Sequence, residues 1–140
     1  MKSICYISLS VTILLFSCVA GKVNTSACEP MICTQEFRMV QVRIKDAWGN
    51  PVAVKDFTAI NKRTGKSTVQ DNEPATVNNQ GIYTVASDAD VKNLSNSGDV
   101  IKVTATHPAT NKTVSYEFVV SGGKCACHIN KVSGPEDITL

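Results

Sequence analysis

The sequence predicts an all-β fold, an antiparallel β-sandwich of about seven strands with one short helix, and three observations lead there. Apolar and polar residues alternate with a period of two in Val40-Gln41-Val42-Arg43-Ile44-Lys45, again through Ile101, Val103 and Ala105, and again through Val114, Tyr116, Phe118 and Val120. That is the pattern of half-buried strands. Clusters of Gly, Asn, Asp and Ser recur roughly every ten residues, the spacing of short strands joined by turns. Val and Thr are frequent while aromatics make up 6%, and β-branched side chains favour pleated structure over helix. The expected core comprises Val42, Ile44, Phe57, Ile101, Val103, Tyr116, Phe118 and Val120.

A first strand is expected over residues 36–45, with Phe37 and Met39 on the parity opposite to Val40, which points to a bulge or a second buried face. Asp46-Ala47-Trp48-Gly49-Asn50-Pro51 is turn chemistry, and its Trp48 is expected to close one end of the core rather than stack on a sugar. A strand over 55–61 follows, and Thr64-Gly65-Lys66 connects it to a short returning strand over 67–69. Residues 71–74 form a loop, and 79–81 turn into a strand at 82–85. One helix of one or two turns is expected next. Ser87 or Asp88 caps it, Asp90 favours its first turn, Val91 and Leu94 share a face, and Gly98 ends it. The two clearest strands come next, joined by residues 107–112, where His107 reads as a turn residue beside Pro108. After Gly122-Gly123 a last strand over 124–132 is expected, with Cys125, Cys127 and Ile129 facing inward. Ile138 and Leu140 pack back afterwards.

At the start of the chain Lys2 provides a positive flank, and residues 4–16 are almost wholly apolar, as in the hydrophobic region of a signal peptide. The run is shorter than the roughly 20 residues a spanning helix needs, and serines and threonines interrupt it. Leu15-Phe16-Ser17-Cys18 resembles a bacterial lipobox, although Phe16 is bulkier than the usual residue. The resemblance implies a signal peptide over 1–17, a lipidated Cys18 with a tether over 18–27, and the sandwich domain over 28–140. The alternative is a secretory signal cut after Ala20. Asp46-x-x-Gly49-Asn50-Pro51-Val52, Thr64-Gly65 and Gln80-Gly81-Ile82-Tyr83-Thr84 are similar to the turns of transthyretin-like and carboxypeptidase regulatory-like domains. The Cys125-x-Cys127-His128 and Ser133-Gly134-Pro135 ending resembles that of small exported lipoproteins of Bacteroidetes. No acidic run follows Cys18. Together the resemblances imply a cell-envelope lipoprotein, anchored in the outer membrane and facing the periplasm, with secretion as the alternative.

The net charge of +2 becomes +1 without Lys2, and Lys and Arg are scattered among Asp and Glu, so nucleic acid is not indicated as a partner. Cys28, Cys33, Cys125 and Cys127 are expected to form disulfides in an oxidising compartment. Three connectivities are open. Cys125 and Cys127 stand two apart on one face of a strand, near the upper limit for a bridge, so each prefers a partner elsewhere. The sharper reading is a metal or thiol-redox site of Cys28, Cys33, Cys125, Cys127 and His128, but His128 has the opposite strand parity and would point away from the thiols. Asp88, Asp90 and Asp99 suggest helix capping better than calcium binding, for which oxygens are too few. Lys45, Glu117 and Asn130 are nominal candidates for an isopeptide bond and read more simply as a solvated face. No catalytic constellation is visible in the linear pattern, and no cofactor is indicated. The expected function is that of a membrane-anchored, non-catalytic binding or structural accessory module, with an envelope protein or a glycan as partner.

Overall fold

The period-two alternation resolves into two four-stranded sheets in a computed structural model that describes Cys28, residues 31–69, the backbone of Thr76–Val77, and residues 81–140. The expected signal peptide, lipidated Cys18 and tether lie outside the described residues. The strands are β1 (Met39–Lys45), β2 (Lys55–Asn61), β3 (Thr76–Val77), β4 (Ile82–Ser87), β5 (Asp99–Thr106), β6 (Thr113–Ser121), β7 (Asn130–Ser133) and β8 (Asp137–Thr139). One sheet has the order β3-β4-β1-β8 and the other β2-β5-β6-β7. The expected all-β class and the single short helix, a 3-10 helix over Asp88–Asn93, are both present.

The inward residues of β1, β5 and β6 make the core. Val42, Ile44, Ile101, Val103, Phe118 and Val120 are each no more than 1% exposed, and Val91 and Leu94 bury their shared face against the same cluster. Phe57 is half-buried and stacks on the Tyr83 ring at a centroid distance of 4.8 Å. The Tyr83 hydroxyl accepts from the Val54 N–H at 2.7 Å and donates to the Val52 carbonyl at 3.2 Å, which satisfies the polar end of a buried ring. Tyr116, expected in the core, is 37% exposed. β7 covers β6 only from Val119 to Ser121, so the Tyr116 end of β6 lies at an open sheet edge.

Several boundaries differ from expectation, each for a physical reason. The pairing is not wholly antiparallel, because β8 runs parallel to β1 and seats Ile138 beside Ile44. β1 begins at Met39 rather than at residue 36, and Phe37 and Met39 are exposed. Neither a bulge in β1 nor a second buried face explains Phe37 and Met39, since the alternation of β1 is unbroken and both point to solvent; the one pairing shift falls between Val40 and Gln41, opposite Ala86 and Thr84. The extra residue is therefore Val85 on β4, and it lets Val85 and Ala86 both turn inward, as bulges do. The helix stops at Asn93 because Leu94 is extended. Gly98, at φ +96°, instead turns the chain into β5, with its N–H donating to the Ser95 carbonyl. The returning strand over 67–69 is reduced to an isolated bridge between Ile60 and Ser67 and a bond from the Thr68 N–H to the Ala59 carbonyl. Trp48 does not close the core. It is 86% exposed.

Candidate functional site

The expected last strand over 124–132 survives only as β7, and what replaces its first half builds a connected polar cluster with the N-terminal arm and the start of the 3-10 helix. Gly123 has φ +119°, a conformation open mainly to glycine, and a Cβ there would lie 1.5 Å from the Asn96 side chain. The backbone of this stretch bonds to the segment around the 3-10 helix instead of to a ladder. Gly122 N–H donates to the Ser95 carbonyl, Gly123 N–H to the Val91 carbonyl, and Lys92 Nζ donates to the carbonyls of Lys124 and Ala126. Residues 124–128 therefore form turns, and strand parity no longer governs where Cys125, Cys127 and His128 point.

The two cysteines of this turn each meet a cysteine of the N-terminal arm, whose described residues from Met31 to Arg38 hold no strand. Cys28 is bonded to Cys125 with Cα atoms 5.3 Å apart, and Cys33 to Cys127 with Cα atoms 5.4 Å apart. Both separations lie within the usual span of a bridge. Of the three connectivities left open by the sequence, the two ends are thus joined in parallel order. Sulfurs paired in this way offer no thiolate to a metal, and among the described residues no group of three or more His, Cys, Asp or Glu side chains is arranged to hold one.

Directly after the second bridge stands His128, whose side chain is 12% exposed. Its Nδ1 lies 2.6 Å from Asp88 Oδ2 and its Nε2 lies 2.8 Å from Thr34 Oγ1, with Glu36 Oε1 at 3.9 Å. Asp88 is not the helix cap. Ser87 takes that place, and its N–H donates to Asp90 Oδ2, leaving the Asp88 carboxylate to accept from the Arg38 N–H at 2.9 Å and the Ile129 N–H at 2.8 Å. The Asp88 N–H in turn donates to the Arg38 carbonyl. Burial works against the charge on Asp88, but the Arg38 N–H, the His128 ring and the Ile129 N–H outweigh it and hold the carboxyl below its usual range. One carboxylate therefore ties the arm, the helix start and the C-terminal turn together.

Thr34, His128 and Asp88 stand in the order hydroxyl, imidazole, carboxylate, which meets the first geometric requirement of an activated nucleophile. The same bonds also serve as a clamp on the arm. A hydroxyl both donates and accepts, so the Thr34 contact can persist whether the imidazole is neutral or charged. Sequence reasoning missed Thr34, Glu36 and the outward role of Asp88, because 54 and 40 residues separate the three members of the cluster and no local spacing marks them.

The remaining candidates have ordinary partners. Asp90 lies in the first turn as expected and accepts from the N–H of the capping Ser87, whereas Asp99 caps nothing and is held by Arg63 and Asn61. His107 is a turn residue, its Nδ1 accepting from the N–H groups of Ala109 and Thr110. Lys45 pairs with Asp137 and Glu117 pairs with Lys62, each on a different sheet, while Asn130 is exposed on β7, so the isopeptide candidates are not brought together. At the far end of β1, Asp46 Oδ1 accepts from the N–H groups of Trp48 and Asn50, and Asp46 Oδ2 accepts from Asn50 Nδ2. This turn presents Trp48 to solvent, roughly 20 Å along β1 from the arm at the usual rise per residue. Comparison with protein-family profiles, characterised proteins and solved structures finds no match for this chain.

Proposed function

We propose that this chain is an exported lipoprotein, held in the cell envelope by lipid on Cys18, whose sandwich serves as a non-catalytic binding or structural accessory module. The observation that carries the reading is its polarity. The arm that receives the tether lies at the start of β1, and Trp48 lies beyond its end, so an anchor at one pole leaves an exposed aromatic at the other. Trp is enriched among the residues that dominate binding energy at interfaces, and the turn beneath it is already ordered by Asp46. Its partner is an envelope protein or a glycan. The pairing of all four domain cysteines supports the exported part of the reading, since bridges persist where the compartment is oxidising. The lipobox resemblance of Leu15 to Cys18 supports the anchor.

Intact mass of the protein extracted from membranes tests the anchor. The expected product begins at Cys18 and carries diacylglycerol, and a lipid-free product beginning at Gly21 overturns the reading. Trp48 is the single tryptophan, so its emission reports directly on the far pole. Titration with purified envelope polysaccharide should shift that emission if the partner is a glycan, and an unchanged spectrum leaves the protein partner.

A further inference from the structure

The arm exposes a group of large apolar side chains that the clamp and the disulfides hold at the surface. Met31 is 60% exposed, Ile32 100%, Phe37 63% and Met39 49%. Phe37 and Met39 stand two apart in extended chain and so share a side. The arm is not loose: Cys33 is bonded to Cys127, Thr34 to His128, and Arg38 to Asp88. Apolar side chains kept at the surface by two disulfides and the Asp88 carboxylate are of the kind that marks an interaction site.

The length of the tether decides which partner. This inference rests on the lipoprotein reading of Cys18. Ten residues separate Cys18 from Cys28, and even fully extended they reach no more than about 36 Å. That is about the diameter of a domain of this size. The tether ends at Cys28, and Met31 follows three residues later. The apolar surface nearest the anchor along the chain is therefore this arm. Trp48 and the C-terminal Leu140, whose N–H donates to the Lys45 carbonyl, belong to the opposite pole.

We propose that the disulfide-stapled arm is an interfacial membrane contact, in which Met31, Ile32 and Phe37 enter the boundary between headgroups and acyl chains of the bilayer that carries the Cys18 lipid. Apolar side chains at this depth add area-dependent affinity to that of a lipid anchor. Here they do more than add affinity. Contact along one rigid arm fixes how the domain stands, and β1 then points its far end, with Trp48, away from the membrane.

The test uses the full-length, membrane-processed protein reconstituted into phosphatidylethanolamine–phosphatidylglycerol vesicles, with or without brominated acyl chains. Two reporters are compared: the parent, whose emission comes from Trp48, and the variant Ile32→Trp in a Trp48→Phe background. Both altered positions are solvent-exposed, so the fold should persist in the variant. The expected result is a blue-shifted Trp at position 32 that loses emission on brominated lipid, while Trp48 in the parent does neither. Phe37→Trp in the same background should behave as position 32 does. If intact mass shows the lipid on Cys18 but positions 32 and 37 are unquenched, the membrane contact is overturned while the lipoprotein reading stands. Quenching of Trp48 equal to that at position 32 overturns it as well, because the domain would then have no fixed orientation. A protein without lipid overturns both readings.

Discussion

Arg63 grips Asp99 with two parallel bonds, Nε to Oδ1 at 2.6 Å and Nη2 to Oδ2 at 2.6 Å, and the carboxylate they hold is only 3% exposed. Asn61 Nδ2 and the Ser95 N–H also donate to it. The Arg63 fork does most to hold the Asp99 carboxyl down at about 2, against the opposing effect of burial, from an ordinary value of 3.8. Because the folded value lies below the unfolded one, the stabilisation is fully present above the ordinary carboxylate range and is lost as pH falls towards 2. Its size is about 2 kcal/mol. Urea unfolding at pH 6, 4 and 2.5 should show stability falling mainly across the last interval, and the Asp99→Asn variant should lose that slope.

Phe118 is 0% exposed, and the turn between β7 and β8 lies flat on its ring: a Cβ on Gly134 would stand 2.4 Å from Phe118 Cδ1. Phe118→Ala should cost about 3 to 5 kcal/mol. Gly134→Ala should also destabilise, through the clash and through φ +129°. Thermal melts of the two single variants and the double variant separate these effects. The double variant should lose less than the two singles added together, since the smaller residue at 118 removes the clash.

The bridges close loops of 97 and 94 residues. In the chain-entropy account the first contributes up to about 4.7 kcal/mol, and the second, closing only the short ring between the pairs, roughly 2.5 kcal/mol. The paired variant Cys33→Ser with Cys127→Ser should therefore shift a urea midpoint moderately, whereas full reduction should come close to unfolding a domain of ordinary stability. A midpoint insensitive to reductant would mean that the arm contributes nothing to the stability of the sandwich.

His128→Ala should lower the melting temperature, because it leaves the buried Asp88 carboxylate with only its backbone donors. Thr34→Val should lower it by less, since the imidazole keeps its bond to Asp88. The non-catalytic reading also expects no ester hydrolysis by the parent protein above the rate of His128→Ala. A p-nitrophenyl ester cleaved by the parent and spared by Thr34→Val would replace that reading with a hydrolase.

The sandwich was legible because β1, β5 and β6 each carry a long run of alternation, and a one-residue slip would turn the whole apolar set outward. Six of the eight expected core residues are buried on those three strands. The misses share a cause. Tyr116 has the right parity and pairs with Val103 of β5, but its other side is left open because β7 stops opposite Val119, and the length of β7 is encoded by no residue on β6. Trp48 was placed by its size, whereas the Asp46 turn turns it outward. The site was hidden more deeply. Strand parity does not govern Cys125, Cys127 and His128, because Gly122-Gly123 and Lys92 draw that segment onto the helix. The compartment pointed to disulfides but left their connectivity open; finding Asp88 on His128 needed the fold.

The parallel pairing of β1 with β8 has a consequence for how the chain comes to be folded. The strand that flanks Ile44 is made 94 residues after it, and both disulfides await sulfurs from the last sixteen residues. Contacts of such separation are slow to form. Until those residues are present, β1 has nothing on that side to close against and Cys28 and Cys33 have no mate. Completion falls to β8 and the turn that carries Cys125 and Cys127, and a chain shortened by only the Asp137 to Leu140 stretch should keep an unsealed sheet edge, visible as heightened protease sensitivity at β1.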